Sequence, residues 1–264
     1  MTDAKRLNER AAPEPRELKP LWHVDQGRAL FAGPLNRNSL HAHSASVFLA
    51  GLYGTFGLRI VGGDWLTCRT AVIPAGVAYE FDIGGDPLCV FYLEPNIAGA
   101  DALMPLVGNT QEVNGALIGR SGEVSVMREL YEDQASRQWI GLALNDLLDF
   151  SKERALRQID PRVSRVVEDM YESYGELTPV AELASSVGLS ASRFQHLFTA
   201  EVGVPFRRYR SWHRLRAAIR EVVNGSNFTQ AAHAAGFSDQ PHFARDFRRT
   251  FGAPPSPSLT KVRG

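Results

Sequence analysis

Arginine is concentrated at the C-terminal end of this 264-residue chain, where guanidinium groups could bind phosphates or the edges of bases. Residues 190–264 hold 11 Arg and one Lys against four acidic residues, which gives a formal charge of +8. The 189 residues before them carry −8, so the formal net charge of the whole chain is zero. Because such a division of charge indicates that one part of a chain binds a polyanion, it predicts nucleic-acid binding by the last third.

The basic segment contains a near-repeat of seven residues. The copies are Ala184-Ser-Ser-Val-Gly188-Leu-Ser190 and Ala232-His-Ala-Ala-Gly236-Phe-Ser238. The small residue lets two helices cross closely, the glycine permits a positive φ in the turn, and the serine can cap the next helix. Both copies continue with phenylalanines, a glycine and a proline, and the second is one residue longer after its serine. The duplicated pattern predicts two helix-turn-helix units in tandem.

An apolar stripe at helical spacing separates the two copies. Its members are Phe206, Tyr209, Trp212, Leu215, Ile219 and Val222. Most of the nearby arginines fall off this stripe, and Asn224-Gly225 is typical of a helix end. The pattern predicts a connecting helix that fixes the spacing of the two units, since two reading helices enter successive major grooves only when held roughly 34 Å apart.

These motifs carry a family resemblance. Residues 178–258 are similar to the DNA-binding domain of the AraC/XylS family of bacterial transcription regulators, through the stretches 184–198, 203–214 and 236–254. The resemblance implies that the second helix of each unit, at residues 191–200 and 239–250, reads the major groove.

Helical periodicity separates the outward positions of these two segments from the inward ones. Phenylalanines and Leu197 face inward, which leaves a polar set for DNA. The predicted DNA contacts are Ser192, Arg193, Gln195, His196, Gln240, His242, Arg245, Arg248 and Arg249, together with Arg210 on the connecting helix. Gln195, His196 and Arg245 are favoured as base readers over plain solvated surface, because amide and guanidinium groups pair with base edges. Pro241 departs from the polar residue commoner in the family, so the second unit is expected to read fewer bases.

His41-Ala-His43, followed by Pro74-Ala-Gly76, resembles the two motifs of a cupin barrel, the sensory domain of many AraC/XylS regulators. In metal-binding cupins four side chains converge on one ion. Here Tyr79 stands where the last histidine would be, and Val47 or Phe48 where the acid would be. Because two of four ligands are missing, we predict neither a metal nor another cofactor.

Two interpretations of the histidine pair stay open. Either hydrogen bonds at a barrel mouth satisfy both rings, or His41 and His43 contact a small-molecule effector, with Tyr79 and Trp22 as further contacts. An apolar cavity for such an effector could be lined by aromatic residues, although aromatic residues in a barrel are more often plain core. The candidates are Trp22, Phe48, Phe81 and Tyr92.

The elements that must position these residues change along the chain. Residues 1–20, rich in Arg, Glu and Pro, predict a flexible leader. Short apolar runs broken by glycines predict a cupin-like effector or dimerisation barrel at residues 21–122. Leucines at spacings of three, four and seven predict a helical connector at 123–158, which covers the barrel or forms a subunit interface. The DNA-binding domain then takes residues 159–264. The predicted fold class is α+β, a β-barrel followed by helices and an all-α tandem helix-turn-helix domain.

These expectations combine into a DNA-binding transcription regulator that is not an enzyme. Its predicted partners are double-stranded DNA, a small-molecule effector bound in the barrel, a second copy of the chain in a homodimer, and RNA polymerase if the protein activates. Effector binding is expected to act by shifting residues 124–156. No run of residues is apolar enough for a membrane span or a signal peptide, so the expected location is the cytoplasm.

Two alternatives remain. The first is a ligand-independent regulator whose barrel only dimerises, which a barrel packed solid with side chains would favour. The second is a metal-dependent cupin enzyme fused to a DNA-binding domain.

Overall fold

A computed structural model describes residues 18–97, 100–133, 135–152, 159–172, 178–260 and 262. Most of the expected leader and parts of the expected connector lie outside these residues. The strands are β1 (Leu21–Asp25), β2 (Arg28–Pro34), β3 (Ser46–Gly51), β4 (Phe56–Ile60), β5 (Leu66–Cys68), β6 (Thr70–Ile73), β7 (Tyr79–Asp82), β8 (Pro87–Leu93), β9 (Val107–Val113) and β10 (Ala116–Gly122). The α-helices are α1 (Ser125–Glu132), α2 (Ile140–Lys152), α3 (Pro161–Glu172), α4 (Val180–Ser186), α5 (Ala191–Val202), α6 (Phe206–Val223), α7 (Phe228–Ala234), α8 (Gln240–Phe251) and α9 (Ser256–Leu259).

The strands form two antiparallel sheets. The larger sheet has the order β1-β2-β8-β3-β6-β10-β9, and the smaller has the order β5-β4-β7. Every residue of β8 is buried, because alternate side chains enter two different cores. Val90 and Tyr92 point into the core shared with the smaller sheet, whereas Cys89 and Phe91 point to the opposite face. This antiparallel domain, followed by a helical C-terminal region, confirms the predicted fold class.

Helices α1 and α2 pack against that opposite face of the larger sheet. Met127, Leu130 and Leu144 are fully buried there beside Phe91. Helices α1 and α2 therefore cover the larger sheet, one of the two arrangements that the sequence left open, and a subunit interface on this segment stays a prediction. Phe48 lies in the same core, so the expectation that it lines a cavity with Trp22 is wrong.

The C-terminal region contains two helix-turn-helix units, α4–α5 and α7–α8, joined by α6. Gly188 and Gly236 have φ values of 70° and 74°, as the turns require. Ser190 caps α5 by accepting a hydrogen bond from the backbone N–H of Arg193. In the second unit the expected cap at Ser238 is wrong, because the extra residue of that copy moves the role to Asp239, which accepts from the backbone N–H of His242 at 2.6 Å.

Helix α6 also joins the helical region to the β domain. Trp212 and Arg216 on this helix are 1% and 0% exposed. The Arg216 guanidinium donates to Glu94 Oε1 at 2.7 Å, and the Trp212 indole N–H donates to the same oxygen at 2.6 Å. Glu94 follows the end of β8, so α6 fixes the orientation of both helix-turn-helix units relative to the β domain as well as to each other.

Candidate DNA-contacting surface and ligand cavity

One face of helix α5 is polar and exposed, and the opposite face carries buried phenylalanines. Phe194 and Phe198 are fully buried, and the Phe194 ring meets that of Phe206 at 5.1 Å between centroids. The polar side chains predicted to contact DNA point the other way and are exposed. They are Ser192, Arg193, Gln195 and His196. Among the described residues, none of these four side chains is engaged in a side-chain hydrogen bond or an ion pair.

Helix α8 repeats this arrangement with Phe243 and Phe247 buried. Arg245 and Arg248 are exposed and project into solvent without an ion pair to another described residue. The remaining predicted contacts of this helix already have protein partners. Gln240 accepts from the Thr229 hydroxyl at 3.0 Å, the His242 ring contacts the Ser238 hydroxyl at 3.1 Å, and the Arg249 guanidinium pairs with Asp246 at 3.0 Å.

Arg210 lies apart from both reading helices. Its guanidinium donates to the backbone carbonyl of Thr178 at 2.7 Å and stacks over the Phe206 ring at 5.1 Å. This bond ties α6 to the start of the first helix-turn-helix unit. That Arg210 contacts DNA stays a prediction. The contacts with Thr178 and Phe206 show that its side chain also holds α6 to the first helix-turn-helix unit.

Helices α5 and α8 both end on the β domain, each at a glycine in the left-handed region. Gly203 follows α5 and would bring an added Cβ within 2.9 Å of the Ala75 carbonyl oxygen. Gly252 follows α8, and its own carbonyl accepts hydrogen bonds from the N–H and the hydroxyl of Ser39, at 3.1 and 2.8 Å. The glycines are therefore needed both for the backbone turn and for the close approach of the two domains.

A cavity of about 220 Å³ lies beside the end of α8. The β domain contributes all four residues that the sequence suggested for an effector site, namely Trp22, His41, His43 and Tyr79. Phe247, Phe251 and Pro254 form the facing wall, so the cavity lies between the β domain and the second helix-turn-helix unit and not inside the β domain alone. Sequence patterns missed this second wall, because they place Phe247 and Phe251 only in the helical core.

The two histidines form a connected pair. His41 Nδ1 lies 2.9 Å from the Ser39 carbonyl oxygen, and His41 Nε2 lies 3.0 Å from His43 Nε2. Burial lowers the pKa of His41 to about 4 and that of His43 well below its usual value, so both rings are neutral near pH 7. Burial likewise raises the pKa of Tyr79, which stays a neutral hydroxyl.

The donor set around this pair does not resemble a metal site. Over the described stretches of the chain, no group of three or more His, Cys, Asp or Glu residues is arranged to hold an ion. His41 Nε2 and His43 Nε2 lie 3.0 Å apart, within hydrogen-bond distance of each other. In these same stretches, no helix combines the length and apolar character of a membrane span.

Comparison with known proteins supports the assignment of the C-terminal region. Residues 183–259 match a family described as a helix-turn-helix domain. The virulence regulon transcriptional activator VirF of Yersinia enterocolitica is 29% identical over 168 residues, which cover 61% of this chain and 59% of VirF. The alignment thus spans less than two thirds of that relative. The probable transcriptional regulator LumQ of Photobacterium leiognathi is 26% identical over 229 residues, covering 82% of this chain and 90% of LumQ.

Solved structures extend the similarity to the β domain. Apo ToxT K231A from Vibrio cholerae aligns with a TM-score of 0.59 at 14% identity, over 90% of this chain and 98% of ToxT. Wild-type ToxT with a bound unsaturated fatty acid aligns with a TM-score of 0.58, over 92% of this chain and 99% of ToxT. The fold of ToxT is therefore present here from the β sheets to α9. Residues 183–259 of this chain match a helix-turn-helix domain, and they follow an antiparallel β domain in a chain that has the fold of ToxT.

Proposed function

We propose that this protein is a sequence-specific DNA-binding transcription regulator controlled by a small molecule. The observation that carries the proposal is that α5 and α8 each have an exposed polar face opposite a row of buried phenylalanines. Helix α6 holds the two helices in a fixed relative orientation. A rigid pair of this kind suits two successive major grooves of double-stranded DNA. The match of residues 183–259 to a helix-turn-helix domain supports the assignment of DNA as partner.

Within this proposal, Gln195, His196 and Arg245 read base edges, because their side chains are exposed and free of bonds to other described residues. Arg193, Arg248 and Arg249 serve phosphates, with Ser192, Gln240 and His242 as further contacts. Phosphate contacts fix the register of the protein on the duplex, whereas base contacts set the preferred sequence.

Control by a small molecule is supported by the position of the cavity. An occupant would touch His43 and Tyr79 on one side and Phe251, the last residue of α8, on the other. It would therefore change how α8 is held against Ser39. This route differs from a shift of residues 124–156, because α1 and α2 lie on the far face of the larger sheet. ToxT, which shares the fold, has been solved with a bound unsaturated fatty acid.

We propose three domains, at residues 21–122, 123–158 and 159–264, and the walls of the cavity come from the first and the third.

We further propose that the regulator works in the cytoplasm as a homodimer, contacts RNA polymerase where it activates, and catalyses no reaction. Leu142 on α2 is 68% exposed on the outside of the helical cover and is offered as part of the surface between copies.

The central experiment is selection of bound fragments from random DNA by the full-length protein, followed by titration of the selected site at several salt concentrations. With about five to eight phosphate contacts per chain, log affinity falls with log salt at a slope of about −0.9 per contact. An affinity independent of salt would contradict the proposal.

Arg245→Ala tests base reading. The variant is expected to lose about 1–3 kcal/mol on the selected site and to relax the preference at one base pair. Arg120→Ala, at an exposed arginine of the β domain, is the matched control and should leave the affinity unchanged. An equal loss on every sequence would reassign Arg245 to a phosphate.

A further inference from the structure

Two polar atoms in the cavity wall lack a hydrogen-bond partner among the described residues. They are Nδ1 of His43, whose side chain is 2% exposed, and Oη of Tyr79, which is 1% exposed. A buried polar group without a partner is costly, so native proteins seldom retain one that has no task. Both belong to residues that line the same cavity, which points to a ligand that completes their bonding.

The shortest contacts of the histidine pair indicate which atom of His43 is left over. The Ser39 carbonyl, which can only accept, lies 2.9 Å from His41 Nδ1, closer than the Asn38 amide nitrogen at 3.2 Å from Nδ1 and 3.4 Å from Nε2. We therefore assign the proton to His41 Nδ1 and the acceptor role to its Nε2. His43 Nε2 must then donate to His41 Nε2, and the neutral His43 ring keeps a bare lone pair at Nδ1. The cavity therefore offers one acceptor, at His43, and one hydroxyl donor, at Tyr79.

The rest of the wall is largely apolar and carries no unbalanced charge, and its other uncharged polar residues are Asn36, Asn38 and Ser258. The rings of Trp22, Phe81, Tyr92 and Phe251 line the space. Arg37, the cation among the lining residues, sits at the exposed edge and pairs with Glu80 at 3.3 Å. An apolar cavity of roughly 150 Å³ holds benzene, so one of about 220 Å³ fits a single ring with a short substituent.

We propose that the cavity binds an uncharged single-ring phenol or aromatic alcohol, whose hydroxyl donates to His43 Nδ1 and accepts from Tyr79 Oη. This inference rests on the proposed function, because it gives the chemical class of the effector. A carboxylate offers acceptors only and would leave His43 without a donor, in a wall with no unpaired cation. A plain hydrocarbon would fill the space but leave both polar atoms without a bond.

The test is calorimetric titration of the full-length protein at pH 7 with three probes of similar size, namely p-cresol, toluene and benzoate. Since two hydrogen bonds separate p-cresol from toluene, we expect p-cresol to bind at least about tenfold more tightly than toluene. Benzoate should be the weakest of the three. Tighter binding of benzoate than of p-cresol, or no binding of p-cresol up to its solubility limit, would overturn the proposal.

Variants separate the hydroxyl contact from general packing. Tyr79→Phe removes one of the two proposed hydrogen bonds, so it should clearly reduce the preference for p-cresol over toluene while toluene binding persists. Tyr53→Phe is the matched control, because the Tyr53 hydroxyl bonds to Glu132 on the outer side of the larger sheet. It should keep the preference unchanged. An unchanged preference in Tyr79→Phe would refute the role of that hydroxyl.

DNA titrations without any probe keep the two proposals distinguishable. If DNA binding fails while p-cresol binds, the cavity assignment stands and the regulator assignment falls. If DNA binds with its expected salt dependence while p-cresol does not bind, the ligand class is wrong and the regulator assignment is unaffected.

Discussion

Glu94→Gln should strongly destabilise the protein, because it removes the negative charge that holds the helical region on the β domain. Arg216 and Glu94 are 0% and 1% exposed, and their side chains meet at 2.7 Å. Breaking a buried ion pair by neutralising one partner costs about 3–5 kcal/mol, since it leaves an uncompensated charge. The Arg216 guanidinium keeps other acceptors, among them the Arg28 carbonyl oxygen at 3.0 Å, so we expect the lower end, about 3 kcal/mol.

Urea denaturation, followed by tryptophan fluorescence and by circular dichroism, measures this loss. Trp212 shares the Glu94 carboxylate, so its emission reports on the interface. Glu182→Gln makes the same chemical change at an exposed position of α4 and should stay within about 0.5 kcal/mol of the unmodified protein. The double variant Glu94→Leu with Arg216→Met should regain much of the lost stability, because it leaves no buried charge. A loss below about 1 kcal/mol for Glu94→Gln would refute the reasoning.

Three further outcomes are expected. Gly252→Ala places a Cβ against the Ser39 carbonyl oxygen, so it should separate the two domains and increase the radius of gyration measured by solution scattering. Gly62→Ala, at a similar φ but with open space around the glycine, should leave the radius of gyration unchanged. Because burial lowers the pKa of His41 from 6.5 to about 4, the folded state binds fewer protons, so its stability is lost as pH falls through that window. This group should cost about 2 kcal/mol between pH 7 and pH 5. His41→Phe should therefore reduce that slope in urea titrations, while His43 and His213, whose pKa values burial also lowers, keep part of it. Leu142→Asp should shift sedimentation towards the monomer, and an unchanged sedimentation coefficient would remove this residue from the proposed dimer surface.

The helix-turn-helix units could be predicted in detail because their signals are local. A small residue, a glycine of positive φ and a capping side chain all lie within seven residues, and φ at Gly188 and Gly236 follows from the residue type. The displaced cap at Asp239 shows the limit of such matching. The sequence contains the extra residue of the second copy, but aligning the two serines conceals its effect on the cap.

The interface between domains could not be predicted from local patterns. Arg216 and Glu94 are 122 positions apart, and an arginine is rarely fully buried unless it is paired, so no local pattern predicts its burial or its partner. The sequence also could not predict on which face of the larger sheet Phe48 lies. Both faces of β3 are buried, so its residues do not alternate between apolar and polar. The cavity depends on both of these long-range arrangements.

Helices α5 and α8 each end in a contact with the β domain, and a ligand in the cavity lies closer to the contact of α8. We therefore predict that the ligand changes DNA binding by α8 more than DNA binding by α5. Phe251 lines the cavity and Gly252 bonds to Ser39, whereas the α5 contact at Gly203 lies against Ala75, outside the cavity wall. Among the described residues, the His43 carbonyl links the cavity wall to the segment that contains Ala75, because it accepts from the Gly76 N–H at 2.9 Å. Ligand binding should therefore change footprinting protection more on the bases read by α8 than on those read by α5. Equal changes over both halves of the site would instead mean that the ligand moves the helical region as one rigid body about the Glu94 contact.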